Sequence, residues 1–301
     1  MPATFRTSAL LLLTSAPAWA EVPTVLADTA PVHSLVAMVM GDLGEPAMIV
    51  PPGTSPHDAS LSPSEAQALT EAELIVWTGD AFLPWLGESL ASLAPQAEVL
   101  GLLDSPGWEP LPAMADEDHG HEHDHDHGGA EIDPHAWLDP AVAAAWTASI
   151  ADALAALDPD NAETYRANAD AASQRLTVLG QDLASRLAPH AGVSVAVGHN
   201  AYRYLERASG LGSSRAIAHA DGAGPAPSDV TTLREAVLAG EVRCLLVDAE
   251  TDPSWAETLG EGAQLRTATV DPDGVNLAPG ADLYPTLVEN IGQALETCLA
   301  P

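Results

Sequence analysis

The sequence predicts an α/β fold in two lobes, each with a parallel-type sheet, joined by one long linking helix. Three observations lead there. Short β-rich apolar runs alternate with helical stretches, once before residue 160 and again after residue 190. Between the two sets, Tyr165, Ala169, Leu176, Leu179, Leu183 and Leu187 recur near a 3.6-residue period. A chain of 301 residues also exceeds one ordinary domain, at about 100 to 200 residues each.

In the first lobe, strands are expected over 24–26, 47–50 and 74–77, with helices over 32–43, 63–69 and 84–93. The 63–69 helix has a clear start. Ser62 sits at the N-cap, Pro63 at the first helical position and Glu65 at the third, the pattern of a capping box. Asp139 before Pro140 marks another start, for an alanine-rich helix running to Leu157. The linking helix over 161–187 would be about 40 Å long at 1.5 Å per residue, enough to run along both lobes. The second lobe repeats the alternation: strands over 194–197, 242–247 and 265–270, helices near 202–208 and over 228–239 and 282–299. The expected boundaries are an N-terminal lobe over 21–160, the linking helix over 161–188 and a C-terminal lobe over 189–301. Within the first lobe, residues 113–132 are too rich in Pro, Gly, Asp and His to pack and read as a flexible insertion.

The chain carries 43 acidic against 10 basic residues, a formal charge of −33, yet 47% of it is hydrophobic. That is a folded acidic protein, not a disordered tail. Every basic residue is an arginine, so a Walker A loop and lysine Schiff-base chemistry are excluded. Nucleic acid and anionic membrane surfaces are repelled by such a field, and small cations are attracted. Residues 1–20 read as a secretory signal: Arg6, the apolar run 9–13, and Ala18 and Ala20 at a small-x-small site, with cleavage after Ala20. No later segment is expected to reach the roughly 20 apolar residues of a membrane span. The mature chain is expected to be exported, free of the membrane and monomeric. Its two cysteines, Cys244 and Cys298, form a natural disulfide in an oxidising compartment, closing a loop of about 55 residues worth about 4 kcal/mol in chain-entropy terms.

Histidine carries the chemistry. His119, His121, His123, His125 and His127 alternate with Asp, Glu and Gly in the insertion, a composition suited to borderline divalent ions such as Zn²⁺. His121, Glu122 and His125 also spell HExxH, but the flanking glycines and the lack of an apolar face make this a by-product of the repeat. Outside it, His57 follows a Pro/Gly-rich turn after a strand, His135 lies in Asp133-Pro134-His135 before a helix, and His199 follows a strand through Gly198. Each falls at the strand ends where open α/β sheets bind ligands, so two facing lobes would bring them together in the interlobe cleft. Three neutral imidazoles and one oxygen make a tetrahedral zinc site. Asp271, ending the last strand, or a water supplies that oxygen; Asp248 and Glu250 are weaker candidates. His33 is assigned to structure or the cleft wall, and His190 and His219 carry no signal. No catalytic residue is identified: a GxSxG elbow is missing, and no general base stands out beside the histidines.

Taken together, 51–63 (PPGTSPHDASLSP), the His-rich insertion, 133–140 (DPHAWLDP), the long helix, 199–206 (HNAYRYLE) and the Cys244, Cys298 pair resemble the zinc-specific substrate-binding proteins of bacterial ABC importers. The resemblance covers essentially the whole mature chain. It implies that His57, His135 and His199 bind zinc between the lobes, that a rigid helix links them and that the loop delivers or senses metal. It also implies transfer of zinc to a membrane permease without chemistry. Some zinc-binding members have a glutamate just before the first histidine, where this chain has Pro56. Manganese and iron relatives have a carboxylate where this chain has His199, and more imidazole favours zinc. The competing readings are a periplasmic zinc buffer or metallochaperone, which the loop alone would support, and a secreted zinc hydrolase.

Overall fold

The structure, a computed structural model, describes residues 22–113, 132–218 and 224–301. The signal over 1–20, His119 to His127 of the insertion and His219 lie outside the described residues. Two four-stranded sheets organise the rest. In the first, β1 (Val25–Ala27), β2 (Ala47–Met48), β3 (Leu74–Trp77) and β4 (Glu98–Gly101) pair in the order β2-β1-β3-β4, all parallel. In the second, β5 (Ala196–Val197), β6 (Arg215–Ala216), β7 (Cys244–Val247) and β8 (Arg266–Thr269) repeat it as β6-β5-β7-β8. The central strands β1 and β3 are buried at every residue, as expected where helices cover both faces of a parallel sheet.

The helices are α1 (Ala30–Met40), α2 (Pro63–Glu71), α3 (Pro84–Leu93), α4 (Pro140–Leu157), α5 (Ala162–Leu187), α6 (Arg203–Ser209), α7 (Pro227–Leu238), α8 (Ser254–Gly260) and α9 (Leu283–Leu299). The written start of α2 forms as a full capping box: Glu65 N–H donates to Ser62 Oγ, and Ser62 N–H to Glu65 Oε2 at 2.6 Å. Asp139 caps α4, accepting from Ala141 N–H at 2.8 Å. The linking helix α5 is 26 residues long and buries Tyr165, Ala169, Ala172, Leu176, Leu183 and Leu187 against α4, α1, α9 and α6. Cys244 on β7 and Cys298 on α9 are bonded, with Cα atoms 5.7 Å apart.

Three elements were not expected from the sequence: the edge strands β4 and β6 and the short helix α8. β4 is largely exposed and β6 has two residues, so neither carries the apolar run that marks a buried strand. The expectation about membrane spans also has one exception. At 18 residues α4 is long and apolar enough to cross a bilayer, but it buries Val142, Trp146, Ile150 and Leu154 in the protein core. That core runs from the first sheet through α4 and α5 to the inner face of the second, and a smaller cluster around Ile217, Leu233, Leu245 and Leu259 fills the outer face.

Candidate metal centre

Each histidine of the candidate set is delivered by a short connection at the end of a strand or at the start of a helix. His57 sits in a 3-10 turn, Pro56–Asp58, whose Ser55 cap accepts from His57 N–H at 3.3 Å. His135 is held by Asp133, which is itself buried: the Oδ1 atom accepts from the His135 backbone N–H and lies 3.1 Å from its Nδ1. A carboxylate on Nδ1 orients the ring, the arrangement that metal-ligating histidines use. His199 follows β5 through Gly198, where a Cβ atom would meet Thr251 Oγ1 at 2.2 Å. Only glycine lets the 248–251 loop lie this close beside His199.

The structure brings the three rings together. Ring centroids are 6.2 Å apart for His57 and His135, 6.1 Å for His57 and His199, and 5.5 Å for His135 and His199. One ligand atom from each lies within 4.8 Å of the others, and His135 and His199 are buried. This is a cluster that one cation could close. Phe82 stands edge-on to His57 at 5.1 Å and 5.7 Å from His135, and Trp137 packs 4.6 Å from Phe82. Trp137 Nε1 donates across the cleft to the Pro272 carbonyl at 2.9 Å, so the apolar wall of the site also ties the lobes. Sequence reasoning missed both aromatics, since an isolated Phe or Trp in a connection looks like any other core residue.

The C-terminal lobe gathers four carboxylates, of which Asp273 and Glu250 interact with the imidazoles. Burial pushes Asp273 up to about 7, opposed by the nearby His135 and reinforced by the charges of Glu250, Asp271 and Asp248. Asp271 spends both oxygens on its own turn, accepting from Val275 N–H at 3.0 Å and Asn276 N–H at 2.9 Å. Glu250 comes nearer to the histidines, with Oε1 3.6 Å from His57 Nε2 and Oε2 4.0 Å from His199 Nδ1. Asp248 shapes the loop that carries Glu250, accepting from Thr251 Oγ1 at 2.6 Å and from the buried Tyr202 hydroxyl at 2.7 Å. His33, elsewhere, is structural: its Nε2 lies 3.0 Å from the Pro46 carbonyl.

Known proteins share this organisation. The family model described as zinc-uptake complex component A, periplasmic, matches residues 25–298. A high-affinity zinc uptake system protein ZnuA from Paracoccus denitrificans is 38% identical over 320 residues, covering 99% of this chain and 98% of its own. One from Brucella suis is 30% identical over 306 residues, covering 92% and 91%. The fold matches a crystal structure of ZnuA with a TM-score of 0.76 at 23% identity, over 92% of this chain and 99% of that one. With the family model spanning nearly the whole described chain, this protein belongs to the periplasmic zinc-uptake component A family.

Proposed function

We propose that the chain is a periplasmic receptor that captures Zn²⁺ between its lobes and delivers it to the permease of an ABC transporter for zinc uptake. The observation that carries this is the convergence of His57 and His135 from one lobe with His199 from the other, their ligand atoms within 4.8 Å. Three neutral imidazoles suit zinc better than manganese, and an oxygen donor completes the tetrahedron. Asp271 and water are the sequence's candidates for that oxygen; each Asp271 oxygen accepts one backbone N–H, from Val275 and from Asn276, and keeps a lone pair. Zinc is cargo here, not a resident cofactor, and the family's role in transport calls for no reaction. Export through a signal cleaved after Ala20, action as a monomer, lobes over 21–160 and 189–301 and an accessory metal-collecting role for His119, His121, His123, His125 and His127 complete the reading.

The test is competitive zinc titration of the mature protein, of a form lacking residues 116–129, and of that form carrying His57→Ala, His135→Ala and His199→Ala together. One tight site that survives loop removal and disappears in the triple variant is expected. Tight binding that vanishes with the loop alone would make the protein a His-loop zinc buffer.

A further inference from the structure

The two ends of the second sheet carry opposite charge. Asp248, Glu250 and Asp271 follow the carboxyl ends of β7 and β8, as His199 follows that of β5. At the amino ends, a cavity of about 1490 Å³ is lined by Val193 ahead of β5, Arg215 on β6, Arg243 ahead of β7 and Arg266 on β8, with Arg186 from the linking helix. Four of the ten arginines thus meet at one place, in a chain with 43 acidic residues. We infer that this cavity binds an aliphatic carboxylate, a small molecule whose charged end is held by Arg243 and Arg266 and whose hydrocarbon body lies along Leu238 and Val193. The site is separate from the metal centre and stands or falls without it.

Two of the four guanidiniums already have a carboxylate. Arg186 donates from Nε and Nη2 to Glu296, and Arg215 from Nη2 to Glu241 at 2.9 Å. Arg243 and Arg266 form no ion pair among the described residues, although Pro301 also lines the cavity. Arg243 donates from Nε to the Gly240 carbonyl at 3.1 Å, and Arg266 from Nη1 to the carbonyls of Cys298 and Ala300. A guanidinium has five N–H donors, so each of these two fixes its side chain through one nitrogen and keeps the others for an oxyanion. Side chains held in advance lower the ordering cost of binding. The cavity is larger than the roughly 300–1,000 Å³ of ordinary small-molecule sites, so it admits a ligand with a body as well as a charge. Leu238, 52% exposed, and Val193, 36% exposed, give that body an apolar wall beside the arginines. A hydrocarbon chain removes their surface from water, which a bare oxyanion cannot do.

The experiment titrates the mature chain, metal-free so that no carboxylate binds through zinc, with octanoate and in parallel with acetate and inorganic phosphate. Affinity is read by calorimetry, and the place of binding by the NMR resonances of the arginine Nε–H groups, assigned with the variants. Octanoate is expected to shift Arg243 and Arg266 saturably and to bind at least about tenfold more tightly than acetate or phosphate. Arg243→Gln and Arg266→Gln are each expected to weaken octanoate about tenfold, and the two together to abolish its binding. Leu238→Ser is expected to weaken it about threefold to fivefold. Arg234→Gln, which lines another cavity of the lobe, is expected to stay within about twofold. No saturable shift at either arginine in millimolar octanoate would overturn the site. Acetate or phosphate binding as tightly as octanoate would overturn the aliphatic class of the ligand, and octanoate binding that survives the double glutamine variant would overturn the part played by the arginines. If Arg266→Gln fails to fold by circular dichroism, Arg243→Gln, which gives up only a bond to its own turn, decides by the same two readouts.

Discussion

Between residue 21 and the linking helix there is no lysine or arginine, whereas nine of the ten arginines lie in the linking helix or beyond it. The two lobes share a sheet order but are held together differently. In the first, carboxylates are satisfied by backbone amides: Asp28 accepts from Thr29 N–H at 2.7 Å and Thr78 N–H at 2.6 Å, and Glu65 closes a capping box. Its stability rests on a core that includes Trp137 and Trp146. In the second, the outer face of the sheet covers only a small apolar cluster, and the lobe adds ion pairs such as Arg215 with Glu241 and, to the linking helix, Glu296 with Arg186, with the disulfide binding β7 to α9. The cations of the second lobe also reach the first: Arg207 pairs with Asp139 at 2.8 Å and donates to the Glu109 carbonyl, and Arg203 donates to the Pro112 carbonyl. A lobe without cations thus depends on its partner for charge pairing.

The largest effect expected is on the metal, which needs both lobes. His135→Ala from one lobe and His199→Ala from the other are each expected to weaken zinc by on the order of a hundredfold or more, read by chelator competition. A large loss from one lobe only would break the symmetry of the site. Zinc should also raise the melting temperature of the parent, since only the folded chain assembles the ligands.

Next comes the disulfide. Replacing Cys244 and Cys298 by serine is expected to cost about 2–4 kcal/mol in denaturant unfolding, because the outer face of the second sheet has little apolar area to replace the crosslink. A cost near zero would mean that the ion pairs and the small cluster suffice.

A smaller effect is expected from Arg207→Ala, about 1–2 kcal/mol. It leaves Asp139, buried at 5% exposure, with Ala141 N–H as its remaining partner and frees the stem of the insertion at Glu109. By contrast, Arg215→Gln breaks an exposed pair and should cost under about 1 kcal/mol.

The subtlest prediction concerns pH and the burial of the first lobe. Burial lifts Asp28 from 3.8 to about 6, offset in part by its hydrogen bonds to Thr78 and Thr29. The folded chain therefore holds a proton that the unfolded chain has lost between those values, and this contribution is full below 3.8 and lost as pH rises through about 6. Burial lowers His33, partly countered by its bond to Pro46, so its contribution has the opposite sign: present above 6.5 and lost as pH falls. Asp28→Asn removes the first and keeps the second. On metal-free protein, the change in melting temperature from pH 5 to pH 7 is expected to be more positive in Asp28→Asn than in the parent; an equal change would mean Asp28 ionises alike in both states.

Much of this was legible along the chain because its signals are local. Ser62, Pro63 and Glu65 form the cap their spacing implies, and Asp139 and Pro140 start a helix for the same reason. The linking helix follows its 3.6-residue period to the last residue, Leu187. His57, His135 and His199 could each be placed at a strand end or helix start, and the parallel sheets then carry such connections to one edge. β4, β6 and α8 were not legible, since edge strands held by neighbours and a seven-residue helix need no apolar pattern of their own.

By itself, then, the sequence determined the charge, the two-lobed α/β alternation, the cysteine pair and the three imidazoles, all properties of residue type and short spacing. Only the tertiary structure decided which carboxylate stands beside those imidazoles. Asp271 and Glu250 both end strands of the second lobe and look alike in sequence. They differ because the first carboxylate caps its own 271–276 turn, whereas the facing of the sheets brings the second to Ser55, 195 positions away. Contacts at that separation depend on how two packed cores meet, which no local pattern encodes.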